Sequence, residues 1–187
     1  MPIDPLIHSR RGQTLVEALV ALSILTMGFA GIVVLLNQSL QLNRTTTDDT
    51  KATYLASEGI EIVKNMIDHD VYEGLPLNDD WDASFSVSGY YWGIDYETTS
   101  TAGLFVSANQ MQATPLYYNS TTDMFGYNTL GATATNFVRN IKITNIDNSN
   151  GDPVEIDVQS IVKWTSDGTS DTITLEDHFY DWHPLSP

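Results

Sequence analysis

Glu17 is the residue whose type and position indicate the clearest chemistry in this sequence. It is the single charged residue within 23 residues, Thr14 to Leu36, that are otherwise apolar or small and uncharged. A helix rises about 1.5 Å per residue, so this segment spans about 34 Å, enough to cross the hydrocarbon core of a bilayer. A carboxylate near the start of such a helix is costly in lipid and normally has a partner. The expected chemistry of Glu17 is therefore ion pairing in apolar surroundings.

Two arginines and a glycine stand immediately before the apolar segment. Arg10 and Arg11 are expected to remain at the cytoplasmic face by the positive-inside rule, which places residues 37–187 outside the cytoplasm. Residues 1–12 have the features of a processing segment rather than of a fold element. The segment 14–36 is then the part that is kept as a single membrane span.

The basic leader, Gly12, the spacing to Glu17 and the apolar segment together resemble the N-terminal signature of type IV prepilins and secretion pseudopilins. The resemblance implies that a prepilin peptidase cuts between Gly12 and Gln13, because a glutamate stands fifth after the cut in that family. Glycine lets an extended backbone enter a peptidase cleft. The family usually has phenylalanine where this chain has Gln13, which is the residue that would be N-methylated. The resemblance also implies that Glu17 pairs with the terminal amine of Gln13 on a neighbouring subunit.

A second helical pattern follows the membrane segment. Its apolar positions recur at intervals of three and four residues: Ala52, Leu55, Ala56, Gly59, Ile60, Val63, Met66 and Ile67. Three threonines and two aspartates at 45–49 lower helix propensity and predict a kink or frayed turn between the two patterns. We predict one long helix over 13–69, with an apolar half and an amphipathic half that buries one face.

The last third of the chain alternates between apolar and polar residues, as half-buried strands do. The alternation predicts strands at 137–146, 154–164 and 172–180, separated by turns that contain Asn-Gly and Asp-Gly. Short alternations at 85–87 and 90–96 predict further strands, and residues 98–136 give no assignment.

These elements predict an α+β fold, and the resemblance to prepilins implies the pilin fold. The spine helix is then expected to pack on a C-terminal antiparallel sheet at about 137–180, within a globular head of residues 70–187.

Other candidate sites are weaker. The histidines His8, His69, His178 and His183 lie in no metalloprotease motif, and no nucleophile elbow or phosphate-binding loop is present. Two acidic groups lack the spacing of an EF-hand and are interpreted as solvated turns: Asp79, Asp80 and Asp82, and the group Asp147, Asn148, Asn150 and Asp152.

The aromatic residues are expected to pack the core: Trp81, Tyr90, Tyr91, Trp92, Tyr96, Tyr117 and Tyr118. We predict no enzyme, no metal and no cofactor.

Composition excludes several functions. The chain of 187 residues has no cysteine, so disulfides and thiolate sites are absent. Its formal net charge of −16 repels phosphate backbones and disfavours nucleic-acid binding through a broad basic surface.

We therefore expect a structural subunit of a type IV pilus or a pilus-like filament of secretion or competence, as a minor pilin or pseudopilin. Its partners would be the prepilin peptidase, other pilin subunits, the cytoplasmic membrane and the assembly platform. It would be a membrane protein before assembly and part of an extracellular or periplasmic filament afterwards. The alternative is a single-pass, membrane-anchored binding module that never polymerises. Retention of the leader favours that alternative, and loss of the leader favours the filament subunit.

Overall fold

The computed structural model describes residues 13–73, 85, 88–98, 106–108, 110–149, 153–166 and 168–180. A helix of 61 residues, α1, is followed by eight strands. The bounds are α1 Gln13–Glu73, β1 Tyr90–Trp92, β2 Val106–Ser107, β3 Tyr117–Asn119, β4 Met124–Gly126, β5 Thr133–Ala134, β6 Phe137–Asp147, β7 Pro153–Ser166 and β8 Thr169–Tyr180. The chain divides into two compact units, with the boundary between Thr46 and Thr47 inside α1.

The helix is unbroken across the polar run at 45–49. The Thr45 hydroxyl donates to the Gln41 carbonyl at 3.2 Å, and that of Thr46 donates to the Leu42 carbonyl at 2.9 Å. Each hydroxyl is therefore a second donor to a carbonyl one turn earlier in the same helix, and the side chain does not draw the backbone into a non-helical turn. The predicted frayed turn is wrong, because the helix continues through these residues.

The second unit is a sheet packed on the amphipathic part of α1. The sheet has the strand order β2-β1-β6-β7-β8, and every neighbouring pair is antiparallel. The predicted apolar stripe is confirmed: all its members are buried except Ile60, which is partly buried. One core cluster centres on Val63, Met66 and Ile67, and another on Ala52, Leu55 and Ala56.

The three long predicted strands are confirmed as β6, β7 and β8, which are somewhat longer than the alternation indicated. Their inner positions supply the other side of the core, because Ile141, Ile143 and Val158 are completely buried. The β7–β8 hairpin pairs Ser166 with Thr169. Gly168 in this turn has a φ of +81°, a left-handed conformation that glycine adopts without steric cost.

The region without a sequence assignment contains the remaining short strands. β3, β4 and β5 form a second sheet in the order β4-β3-β5. Asn140, on the outer face of β6, is nearly fully buried because the chain near Gln112 lies against it. The Asn140 side chain accepts from the backbone N–H of Gln112 at 2.7 Å and donates to the backbone carbonyl of Gln112 at 3.1 Å. Of the shorter predicted strands, 90–96 is represented by β1, and 85–87 lies outside the described residues except for the buried Phe85.

Substitution of Val158 by aspartate is expected to unfold the head. Val158 is completely buried in the main core cluster and pairs with Ile143 and Asp177 on the two neighbouring strands. A carboxylate there would have no partner, at a cost of more than about 4 kcal/mol. Val154→Asp on the same strand is the matched control, because Val154 is 38% exposed. Thermal unfolding of the full chain in detergent tests this, and an unchanged transition for Val158→Asp would contradict the assigned core face.

Candidate functional site

The apolar part of α1 is exposed along its whole length in the described residues of the first unit. Every side chain from Thr14 to Thr46 is exposed. Among the large apolar residues, Leu15 is 64% exposed, Met27 80% and Phe29 67%. Burying one such side chain is worth about 1.5–3 kcal/mol, so this surface requires lipid or other apolar helices around it.

The hydroxyl groups within this segment are compatible with an apolar environment. The Ser23 hydroxyl donates to the Leu19 carbonyl at 2.8 Å, and the Thr26 hydroxyl donates to the Ser23 carbonyl at 2.9 Å. These groups are satisfied inside the helix, as polar groups in a bilayer must be. Gly28 and Gly31 leave open space where a side chain would stand, which permits close approach of another helix.

Glu17 is the remaining polar group that needs a partner. It is exposed and lies one turn inside the helix, which begins at Gln13. Among the described residues, Glu17 takes part in none of the ion pairs, all of which lie beyond Thr47. The described residues therefore supply no cation to Glu17 in an apolar environment. Gly12 and the leader, 1–12, lie outside the described residues.

One helix of the described chain, Thr14–Tyr72, is long and apolar enough by length and composition to cross a membrane. None of its most apolar stretch is buried against the rest of the protein. This helix fits a single-pass membrane anchor.

The other predicted candidates are dispersed over the head. Asp147 and Asn148 are exposed, whereas 79–82, 150 and 152 lie outside the described residues. The prediction that aromatic residues pack the core is confirmed for Trp92, which is 4% exposed. The Tyr residues in the set are half-buried, apart from Tyr96 at 39% exposure. Trp81 lies outside the described residues.

His178 is exposed on β8, but it is not isolated. Its Nδ1 lies 2.7 Å from Glu155 Oε1, and its Nε2 lies 3.3 Å from Glu176 Oε1. The hydrogen bond with Glu155 raises the pKa of the His178 imidazole above its ordinary value. Burial, followed by repulsion from Glu176, raises the pKa of the neighbouring Asp157 carboxyl.

Arg139 is a structural residue that the sequence analysis missed. Its side chain is 0% exposed and lies 3.3 Å from Glu58 of α1. Its guanidinium also donates to the Leu55 carbonyl at 3.0 Å and the Ile94 carbonyl at 2.9 Å. Arg139 therefore ties the helix, β6 and the segment after β1 together. The sequence did contain a signal for this burial. Arg139 stands two residues from both Phe137 and Ile141, so the alternation of β6 places it on the same apolar face.

The position of Gly59 is explained by the same contacts. A Cβ at residue 59 would stand 2.5 Å from Ser160 Oγ and 3.2 Å from Arg139 Cδ. The helix can therefore approach β6 and β7 this closely only with glycine at this position.

Comparison with known protein families gives a match over the N-terminal segment. Residues 7–33 match the prokaryotic N-terminal methylation motif, the type IV prepilin signature. This signature implies processing by a prepilin peptidase and association with other pilins, and it indicates a structural protein rather than an enzyme family. No curated protein and no solved structure gives a significant match to the chain.

Proposed function

We propose that this protein is a structural subunit of a type IV pilus or a pilus-like secretion or competence filament, as a minor pilin or pseudopilin. One observation carries the proposal: an exposed apolar helix within the methylation motif contains a single acid, Glu17, five residues after Gly12. A filament core of packed helices would cover the apolar surface and supply the missing cation.

The proposed processing creates that cation. Cleavage between Gly12 and Gln13 removes residues 1–12 and leaves a positive amine on Gln13, which is the candidate for N-methylation. In the assembled filament this amine lies against Glu17 of the neighbouring subunit. A charge pair shielded from water selects one register between helices, because each shifted register leaves both charges unpaired.

The proposed path begins in the cytoplasmic membrane. The segment 14–36 anchors the precursor, with the head outside the cytoplasm, until the assembly platform extracts it into an extracellular or periplasmic filament. The head has its own core against the amphipathic part of α1, so it can keep its fold while the surroundings of the apolar segment change from lipid to protein.

Substitution of Gly12 by valine is expected to block processing and filament entry. A branched side chain beside the scissile bond hinders an extended backbone in the peptidase cleft. Intact masses are compared between the membrane fraction and the filaments sheared from the cell surface. We expect the original chain to begin at Gln13 in sheared filaments, and Gly12→Val to keep its leader and stay in the membrane.

Ser9→Val is the matched control within the leader, because it adds the same side chain away from the bond to be cut. It should be processed like the original chain. A mature chain that begins at any residue other than Gln13 would contradict the proposed cleavage site. A membrane protein that keeps its leader and is never found in filaments would support the anchored binding module instead.

A further inference from the structure

The outer face of the β7–β8 hairpin carries a set of metal-ligating side chains that the proposed filament function does not use. Asp157, Glu176 and His178 each place one ligand atom within 4.8 Å of the others. The pairing of β7 with β8 sets Asp157 directly opposite His178, and Glu176 stands two residues before His178 on the same face. The group therefore depends on two strands that are held in register over their full length.

The separations in this cluster suit a transition metal. His178 Nε2 and Glu176 Oε1 are 3.3 Å apart. Two ligands that bind one tetrahedral Zn²⁺ at about 2.0–2.1 Å lie roughly 3.4 Å from each other. One imidazole with carboxylates suits zinc and its neighbours in the first transition series, whereas calcium requires six to eight oxygen ligands.

The neighbours of the cluster hold its ligands in a suitable orientation. Glu155 Oε1 lies 2.7 Å from His178 Nδ1, so the proton on Nδ1 can be donated to Glu155 while Nε2 keeps its lone pair. At zinc sites a histidine ligand usually donates the N–H of its other ring nitrogen to a carboxylate or a similar acceptor. The Gln159 side chain donates to Glu176 Oε2 at 3.1 Å, which leaves Oε1 to face Nε2.

Asp157 supplies a separate observation. Its Oδ1 is inaccessible to solvent and has no hydrogen-bond partner in the described structure. A carboxylate oxygen in this state is unfavourable unless a cation or a proton is bound there. The cationic side chains near it by register are His178, which is directly opposite on β8 and positive only when protonated, and Lys142, which is opposite Gln159 and so diagonal to Asp157.

We infer that Asp157, Glu176 and His178 form a binding site for a divalent transition-metal ion, with zinc as the best fit. Asp157 contributes a carboxylate oxygen, Glu176 its Oε1 and His178 its Nε2, while water fills the open position. Glu155 and Gln159 orient the ligands without touching the metal. The bound ion joins the edge strand β8 to β7 through their side chains.

The test titrates Zn²⁺ into the full chain in detergent, using isothermal calorimetry and thermal unfolding. We expect one zinc ion per chain. The melting temperature should rise by about 5–10 °C at a zinc concentration about 100 times the dissociation constant. Calcium at the same concentration should leave it unchanged. His178→Gln should remove the zinc response, and Glu155→Gln should weaken affinity by about 10–100-fold.

His69→Gln is the matched control, because His69 is an exposed histidine on α1. It should bind zinc like the original chain. The ¹⁵N chemical shift of His178 Nε2 should move on addition of zinc while Nδ1 stays protonated, which a purely structural ion pair would not produce. Absence of zinc binding by the original chain would overturn the site, as would equal binding by His178→Gln and His69→Gln.

Discussion

Replacing Glu17 by alanine is expected to leave the chain cleaved and inserted in the membrane but to lower its recovery in sheared filaments by at least tenfold. The apolar segment gains a residue that inserts more readily, so processing and anchoring should continue. In the filament, the terminal amine of Gln13 on a neighbour would lose its partner. Breaking a shielded ion pair from one side costs about 3–5 kcal/mol, and about 1.4 kcal/mol is already a tenfold effect.

Two further variants separate charge from general damage to the helix. Glu17→Gln keeps a polar side chain without the charge and should fail in the same way as Glu17→Ala. Glu61→Ala removes an exposed carboxylate from the amphipathic part of α1 and should enter filaments normally. The measurement is the ratio of sheared to membrane-bound chain for each variant. Equal recovery of Glu17→Ala and the original chain would defeat the pairing mechanism.

Substitution of Arg139 by methionine is expected to destabilise the head by about 2–4 kcal/mol. The change keeps a long side chain but removes the donors to Leu55 and Ile94 and leaves Glu58 without its partner. Glu58 is 35% exposed and can be rehydrated, so the cost is below that of a fully buried orphan charge. Most of the expected loss of unfolding free energy has two sources. The Ile94 carbonyl loses its donor from Arg139, and the methionine side chain fills the space of the guanidinium imperfectly.

The measurement is urea unfolding of the full chain in detergent, followed by the fluorescence of the buried Trp92 and Trp164. Arg44→Met, an exposed arginine of α1 exchanged in the same way, should change stability by less than about 0.5 kcal/mol. Glu58→Gln should cost less than Arg139→Met, because it leaves the two carbonyl contacts intact. If Arg139→Met lowers the free energy of unfolding no more than Arg44→Met does, the contacts of Arg139 do not stabilise the packing of the sheet on the helix.

Features that depend on near neighbours in the chain could be predicted from the sequence. The membrane-compatible segment follows from a long apolar run with one charge, the buried stripe of α1 from a spacing of three and four residues, and the three long strands from alternation. The turn at Gly168 follows from the Asp-Gly pair. In each case the pattern lies within one short continuous stretch of the chain, so it can be recognised without knowledge of the tertiary partners.

The short strands could not be predicted in this way. β3, β4 and β5 are two or three residues long and contain no full period of alternation. They exist because the chain between β2 and β6 folds back, with Tyr117 paired to both Gly126 and Ala134. A strand that is stabilised mainly by pairing with distant strands cannot be recognised from the alternation of its own residues.

The apolar helix that is able to span a membrane and the position of Glu17 within it were thus determined by the sequence itself, since composition and spacing suffice to define them. The burial of Arg139 was decided by tertiary structure, because its partners Leu55 and Ile94 lie 84 and 45 residues away. The same holds for Asp157 and His178, which only the β7–β8 register sets opposite each other. From sequence alone a charged residue is expected to be exposed to solvent. Its actual environment depends on distant segments that pack around it in the folded chain.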